Sequence, residues 1–154
     1  MRITNLTGNS STYTANVYFV RGSWNAIEDV NTLVDVGRDP AIIAGIDAIS
    51  GGVGKKKIDQ VILTHSHYDH ASLLPVIKEI YNPVVYAFSP YLEGVDYLLK
   101  EGEKMKIGDS IFEVIHIPVH SSDSVCLYCE EEGVLFSGDT PVIIRSSDEI
   151  YDDS

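Results

Sequence analysis

Three histidines and a carboxylate fall within His65-Ser66-His67-Tyr68-Asp69-His70, directly after the run Val61-Ile62-Leu63-Thr64. Imidazole is the commonest metal-binding side chain, and the neutral ring is a good ligand for zinc or iron at neutral pH. His65 and His67 stand two apart in an extended stretch and can point into the same space. Asp69 and His70, one turn further on, can face a second point nearby. One short loop is thus able to hold two metal ions, the starting arrangement of a binuclear hydrolytic centre.

Three other stretches carry matching chemistry. Leu33-Val34-Asp35-Val36-Gly37 ends an apolar run on an aspartate, and Val114-Ile115-His116-Ile117-Pro118-Val119-His120 ends one on a histidine. Leu135-Phe136-Ser137-Gly138-Asp139-Thr140 closes a third on Ser-Gly-Asp. Together with the HxHxDH segment, these elements resemble, in kind and order, the motifs of the metallo-β-lactamase superfamily. The resemblance implies an α/β fold, the αββα sandwich of that family, with a metal site at one edge between two sheets.

By that resemblance His65, His67 and His120 hold a first metal, at about 2.0–2.1 Å if it is zinc. Asp139 bridges to a second ion bound by Asp69 and His70. One or two zinc ions are expected, with iron as the alternative. Asp69 is also the catalytic candidate, orienting the nucleophile and handling its proton. Asp35, Thr64 and Ser137 are expected to support the ligands through hydrogen bonds. Tyr68 is a candidate to line the pocket. His116 matches no family ligand and reads as structural, with a supporting or substitute ligand as its other reading. The family pattern also ends on a later histidine, whereas the five here stand at 65, 67, 70, 116 and 120. The expectation is one domain over 1–154 with its second half shortened and its C-terminal portion incomplete.

Composition narrows the partners. Apolar residues at 44% and charged residues at 22% are ordinary for a globular protein. Eleven Lys+Arg against 23 Asp+Glu give a formal net charge of −12, which repels phosphate backbones and argues against nucleic acid. No apolar run reaches the roughly twenty residues that span a bilayer, and Met1 to Leu6 is too polar for a secretory signal. No membrane partner and a cytoplasmic location are therefore expected. Cys126 and Cys129 lie three apart on a predicted strand and so face opposite sides, as buried small hydrophobes rather than a metal or disulfide pair.

The elements that must position these groups follow from pattern. Strands are predicted over Tyr13–Val20, Asn31–Val36, Gln60–Thr64, Val84–Phe88, Ser110–Ile117, around Cys126, and over Val134–Phe136. Helices are predicted over Ala41–Ile49, from about Ser72 through Ile80, and across Tyr91, Val95, Leu98 and Leu99. Gly51-Gly52-Val53-Gly54-Lys55-Lys56-Lys57 lacks the first glycine and the final Ser/Thr of a phosphate loop and reads as a connector. Glu130 to Gly133 reads as a hairpin turn and the acidic tail 148–154 as loosely ordered.

The leading functional expectation is a hydrolase that uses a metal-bound hydroxide on a small ester, thioester, lactone or amide. A mono-iron, dioxygenase-like oxidoreductase of the same superfamily is the alternative, since two histidines and an aspartate suffice for that site. A non-catalytic metal-binding module is the third. The exposed edge of a shortened second sheet predicts a homodimer.

Overall fold

The computed structural model describes residues 1–11, 14–119 and 121–138, and the backbone of 143–145 and 150–152. In chain order the first elements are β1 (Arg2–Asn5), β2 (Tyr18–Arg21), β3 (Thr32–Val34), α1 (Ile42–Asp47) and β4 (Gln60–Ile62). Then come α2 (Tyr68–Ala71), α3 (Leu74–Tyr81), β5 (Val84–Ala87) and β6 (Tyr97–Leu98). The second half holds β7 (Lys104–Ile107), β8 (Ser110–His116), β9 (Val125–Cys129), β10 (Val134–Phe136), β11 (Ile143–Arg145) and β12 (Ile150–Asp152).

Alternation along the central strands sorts their side chains into two cores. Strands β1 to β6 form one sheet in sequential order, antiparallel from β1 to β3 and parallel from β3 to β6. Parallel neighbours need crossovers: α1 lies between β3 and β4, α2 and α3 between β4 and β5, while residues 88–96 lead from β5 to β6 without a helix. Phe19, Leu33, Val61 and Val85 therefore pack against Ile42, Ile46, Leu74 and Ile77 of the helices. Their neighbours Val20, Val34 and Ile62 face the other way, onto Phe112, Val114, Val125, Leu127 and Phe136. Those residues belong to a second sheet, the antiparallel meander β10-β9-β8-β7. The layers run helix, sheet, sheet, the first three of an αββα sandwich. Among the described residues no helix is long and apolar enough to cross a membrane.

Several expectations change. The helix across Tyr91 to Leu99 is absent. Asp96 N donates to Val85 O and Leu99 N to Ala87 O, so this segment runs extended beside β5 and Tyr97–Leu98 is an edge strand. Gly94, at φ 94°, turns the chain out of a helical path. The strand expected over Tyr13–Val20 is confined to Tyr18–Arg21, with Tyr13 outside the described residues, and β1, not foreseen, pairs with it. The acidic tail is not loose where it is described: Ile150–Asp152 pairs antiparallel with Ile143–Arg145. In the connector, Lys55 Nζ binds the carbonyls of Ile27 and Asp29, Lys56 Nζ that of Asn82, and Lys57 Nζ that of Asp47. These lysines tie loops together.

Candidate metal centre

Because β3 and β4 run parallel with Val34 opposite Ile62, their C-terminal ends deliver Asp35 and Thr64 to the same edge. Asp35 sits at φ 63°, a left-handed conformation that aspartate and asparagine reach more readily than bulkier residues. Its N–H still donates to Ile62 O at 2.9 Å. The carboxylate accepts three hydrogen bonds: from Thr64 N and Thr64 Oγ1 at 2.8 Å each, and from His70 Nδ1 at 2.9 Å. All three residues are buried. A carboxylate can only accept, so Nδ1 of His70 carries the hydrogen and Nε2 is left to face elsewhere.

Nε2 of His70 faces Asp69 Oδ2 across 3.7 Å. The His70 ring lies 3.9 Å from that of His65, and His65 lies 4.5 Å from His67, centroid to centroid. One potential ligand atom from each of His65, Asp69 and His70 falls within 4.8 Å of the others. A neutral imidazole lone pair and a carboxylate oxygen at such range repel unless a cation or a proton lies between them. Two imidazoles and a carboxylate are donors that zinc and iron both accept, so the residues present fit a metal ion.

Backbone hydrogen bonds lock this loop. His67 begins α2, its carbonyl accepting from His70 N and Ala71 N, and that turn brings Asp69 and His70 back over His65. The His70 carbonyl accepts from Val36 N and Gly37 N at 2.9 and 3.0 Å. Thr64 O accepts from Val125 N at 2.8 Å, stitching the loop to the second sheet. On the far side Gly138 has φ 60°, and a Cβ there would lie 2.6 Å from Thr64 Oγ1. The Ser-Gly step thus brings the chain against Thr64, with Ser137 buried beside it.

His65, His67, Asp69, His70, Asp35, Thr64 and Ser137 all gather here. His120 and Asp139, assigned to the ligand set by resemblance, lie outside the described residues, though Ser121 and Gly138 beside them do not. Tyr68, 68% exposed, and His67, also exposed, stand on the solvent side of the loop. His116 turns elsewhere: its ring stacks on Phe88 at 3.9 Å, and Nε2 donates to Ser122 O at 2.8 Å. Cys126 and Cys129 occupy opposite faces of β9; Cys129 joins the intersheet core, and Cys126 Sγ lies 3.9 Å from Ser137 O.

Two residues not singled out in the sequence stand beside the site. Asp123 is buried and accepts from Ser121 Oγ at 2.6 Å and from Ser66 of the histidine loop. Burial alone raises its pKa, but hydrogen bonds from Ser121 and Ser66 outweigh it and hold the carboxyl below the ordinary carboxylate range. Arg38 follows Gly37 and carries its guanidinium 5.4 Å over the Tyr68 ring. In the sequence they are only an acidic residue three places after His120 and a base three places after Asp35, and neither spacing marks a site by itself.

The sequence profile of the metallo-beta-lactamase superfamily matches residues 12–142. A hydroxyacylglutathione hydrolase of Francisella tularensis is 36% identical over 88 residues, 56% of this chain and 35% of that protein. A probable hydroxyacylglutathione hydrolase of Schizosaccharomyces pombe is 30% identical over 115 residues, 72% of this chain and 44% of that one. The chain thus spans less than half the length of these curated relatives. Among solved structures, the BLEG-1 B3 metallo-beta-lactamase superposes with a TM-score of 0.69 at 24% identity, covering 90% of this chain and 72% of that one. That likeness is one of fold.

Proposed function

The chain belongs to the metallo-β-lactamase superfamily, and from that premise we propose that it is a metal-dependent hydrolase of small esters or thioesters, with lactones and amides as the wider class. The observation that carries the reading is the convergence of His65, Asp69 and His70 within 4.8 Å, with His70 oriented by a buried Asp35. The relatives' names favour a thioester over the other substrates.

A zinc ion held by such a set acts as a Lewis acid and lowers the pKa of a coordinated water to about 7. Around it the chain's own groups have separate tasks. Asp35 keeps the His70 proton on Nδ1, so that Nε2 presents its lone pair. Thr64, clamped by both Asp35 oxygens and by Val125, fixes where His65 begins. Asp69, partly open to solvent beside His70, is placed to accept the proton of an attacking water and pass it to the leaving group. A small substrate suits the acidic surface, which repels polyanions.

Elemental mass spectrometry on exhaustively dialysed protein, followed by assay of a hydroxyacyl-glutathione thioester, an aryl ester, a lactone and an amide, tests this reading. Bound zinc, thioester turnover and loss of turnover in Asp69→Asn support it. Protein that holds no metal, or zinc-loaded protein that cleaves none of the four, overturns it. Bound iron with oxygen uptake would replace it with the oxidoreductase reading.

A further inference from the structure

The loops that carry the metal-site residues also carry a cation that pairs with no carboxylate among the described residues. Arg38 is linked to the protein through its backbone N–H, which donates to Thr14 Oγ1 at 3.0 Å, and through the stack on Tyr68. Most of the chain's other bases are committed. Lys78 pairs with Asp96 and Lys104 with Glu113, Arg21 donates to Ser50 O, and Lys55, Lys56, Lys57 and Lys106 bind backbone carbonyls. Several of those bases also lack a carboxylate, but each donates to a carbonyl oxygen, whereas the one contact of the Arg38 guanidinium among the described residues is the stack on Tyr68.

Its position is equally particular. Tyr68 lies between His67 and Asp69, and Arg38 lies next to Gly37, whose N–H binds the His70 carbonyl. Tyr68 is thus part of the histidine loop, and Arg38 is next to a residue that hydrogen-bonds to it. A guanidinium stacked on an aromatic face is held in orientation while the N–H groups along its edge stay available, and such stacking contributes about 0.5–1 kcal/mol at an exposed site. The edge offers a planar fork that matches a carboxylate bidentately. Phosphate fits the same fork, but a carboxylate is the group that the hydroxyacylglutathione in the relatives' names carries.

We propose that Arg38, held in orientation by Tyr68, binds a carboxylate of the substrate, so that this chain's substrates are carboxylate-bearing thioesters or esters. The inference rests on the hydrolase reading for its consequence in catalysis and on the Arg38–Tyr68 stack for its geometry. Arg38 is a specificity residue in it: it touches the substrate away from the scissile carbonyl and sets where that carbonyl lies relative to Asp69.

Two measurements test it. The first compares a hydroxyacyl-glutathione thioester, with free carboxylates, against its diester in the wild type, Arg38→Lys and Arg38→Met. A charge-assisted hydrogen-bonded pair contributes about 1.5–3 kcal/mol, so Arg38→Met should raise KM for the acid about 10- to 100-fold more than for the diester. Arg38→Lys, a point charge without the fork, should fall between the two. Equal losses for acid and diester would overturn the proposal. The second measurement is independent of turnover: the Arg38 Nε resonance is followed while S-methylglutathione, a thioether with the same carboxylates, is titrated against its diester. A shift with the acid and none with the diester supports the assignment even if no thioester is cleaved, and identical responses refute it. Failure of hydrolysis alone thus condemns the hydrolase reading and leaves the binding site to be judged by the titration.

Discussion

Across 2.9 Å, the Nδ1–H of His70 donates to the carboxylate of Asp35, and both side chains are withheld from water. The same carboxylate takes the N–H and the hydroxyl of Thr64, so one buried negative charge is met by three donors. This arrangement explains why Asp35 adopts φ 63° at the end of β3. From that turn the two oxygens meet Thr64 at the parallel neighbour's end and His70 of the histidine loop. The fold and the metal centre share this carboxylate, and substitutions around it should register on both.

Asp35→Asn keeps the side chain's volume but sets an amide N–H against one of its three donors. Zinc affinity should fall about 10- to 100-fold, the usual effect of removing such an outer partner. Folding stability should fall by about 1–3 kcal/mol, because a buried donor loses its acceptor. Competition with a chromophoric chelator and urea unfolding read the two separately. Unchanged zinc affinity would show that His70 keeps its orientation without Asp35.

Gly138 and Gly133 both have positive φ, 60° and 65°, but a Cβ at Gly133 would meet nothing within 4 Å. Gly133→Ala should therefore cost about 1–2 kcal/mol for the left-handed backbone alone. Gly138→Ala should cost more, since its methyl collides with Thr64 Oγ1, and it should also weaken zinc binding. Equal thermal shifts in the two variants would mean that the Ser-Gly loop does not bear on Thr64.

His116→Phe should leave the metal content per chain as it is in the wild type. The native ring stacks on Phe88 and donates to Ser122 O, and phenylalanine keeps the stack while losing one hydrogen bond. A loss of about 0.5–1.5 kcal/mol of stability is expected. A drop in bound zinc would return His116 to the list of ligands.

The parts of this molecule legible in the sequence are those with a repeating physical signal. Val61-Ile62-Leu63 reads as a buried strand because both of its faces meet apolar layers, helices on one side and the second sheet on the other. The helix read from about Ser72 through Ile80 runs from Leu74 to Tyr81, with Pro75 in its first turn where a proline is tolerated. The spacing of Tyr91, Val95, Leu98 and Leu99 misleads, because it imitates a helix while backbone pairing with β5 decides the conformation. At the site, the histidines and Asp35 were visible through chemistry and order. Asp123 and Arg38 were not, since a single charged residue acquires meaning only when the fold sets Ser66 or Tyr68 against it.

Asp123 joins Ser66 of the histidine loop to Ser121, next to His120, and its titration should be visible in the stability of the whole chain. Its folded pKa lies below the ordinary range, because hydrogen bonds from Ser121 and Ser66 overcome the upward push of burial. A carboxyl of that kind stabilises the fold fully above its unfolded pKa of about 3.9, and the contribution fades as the pH falls through the lower folded value. Asp123→Asn cannot make that contribution at any pH. The variant should be about 1–3 kcal/mol less stable than the wild type at pH 7, the expected loss for a buried charge-assisted pair, and the gap should close progressively below about pH 4. Asp96 and Asp109, also held below the ordinary range by hydrogen bonds, titrate in both proteins and cancel in the comparison. Urea unfolding of the two proteins from pH 7 down to the acid transition supplies the curve. A gap that stays constant with pH would mean that the side chain acts by shape rather than by charge, and the tether between the two loops would then have to be assigned to the serines themselves.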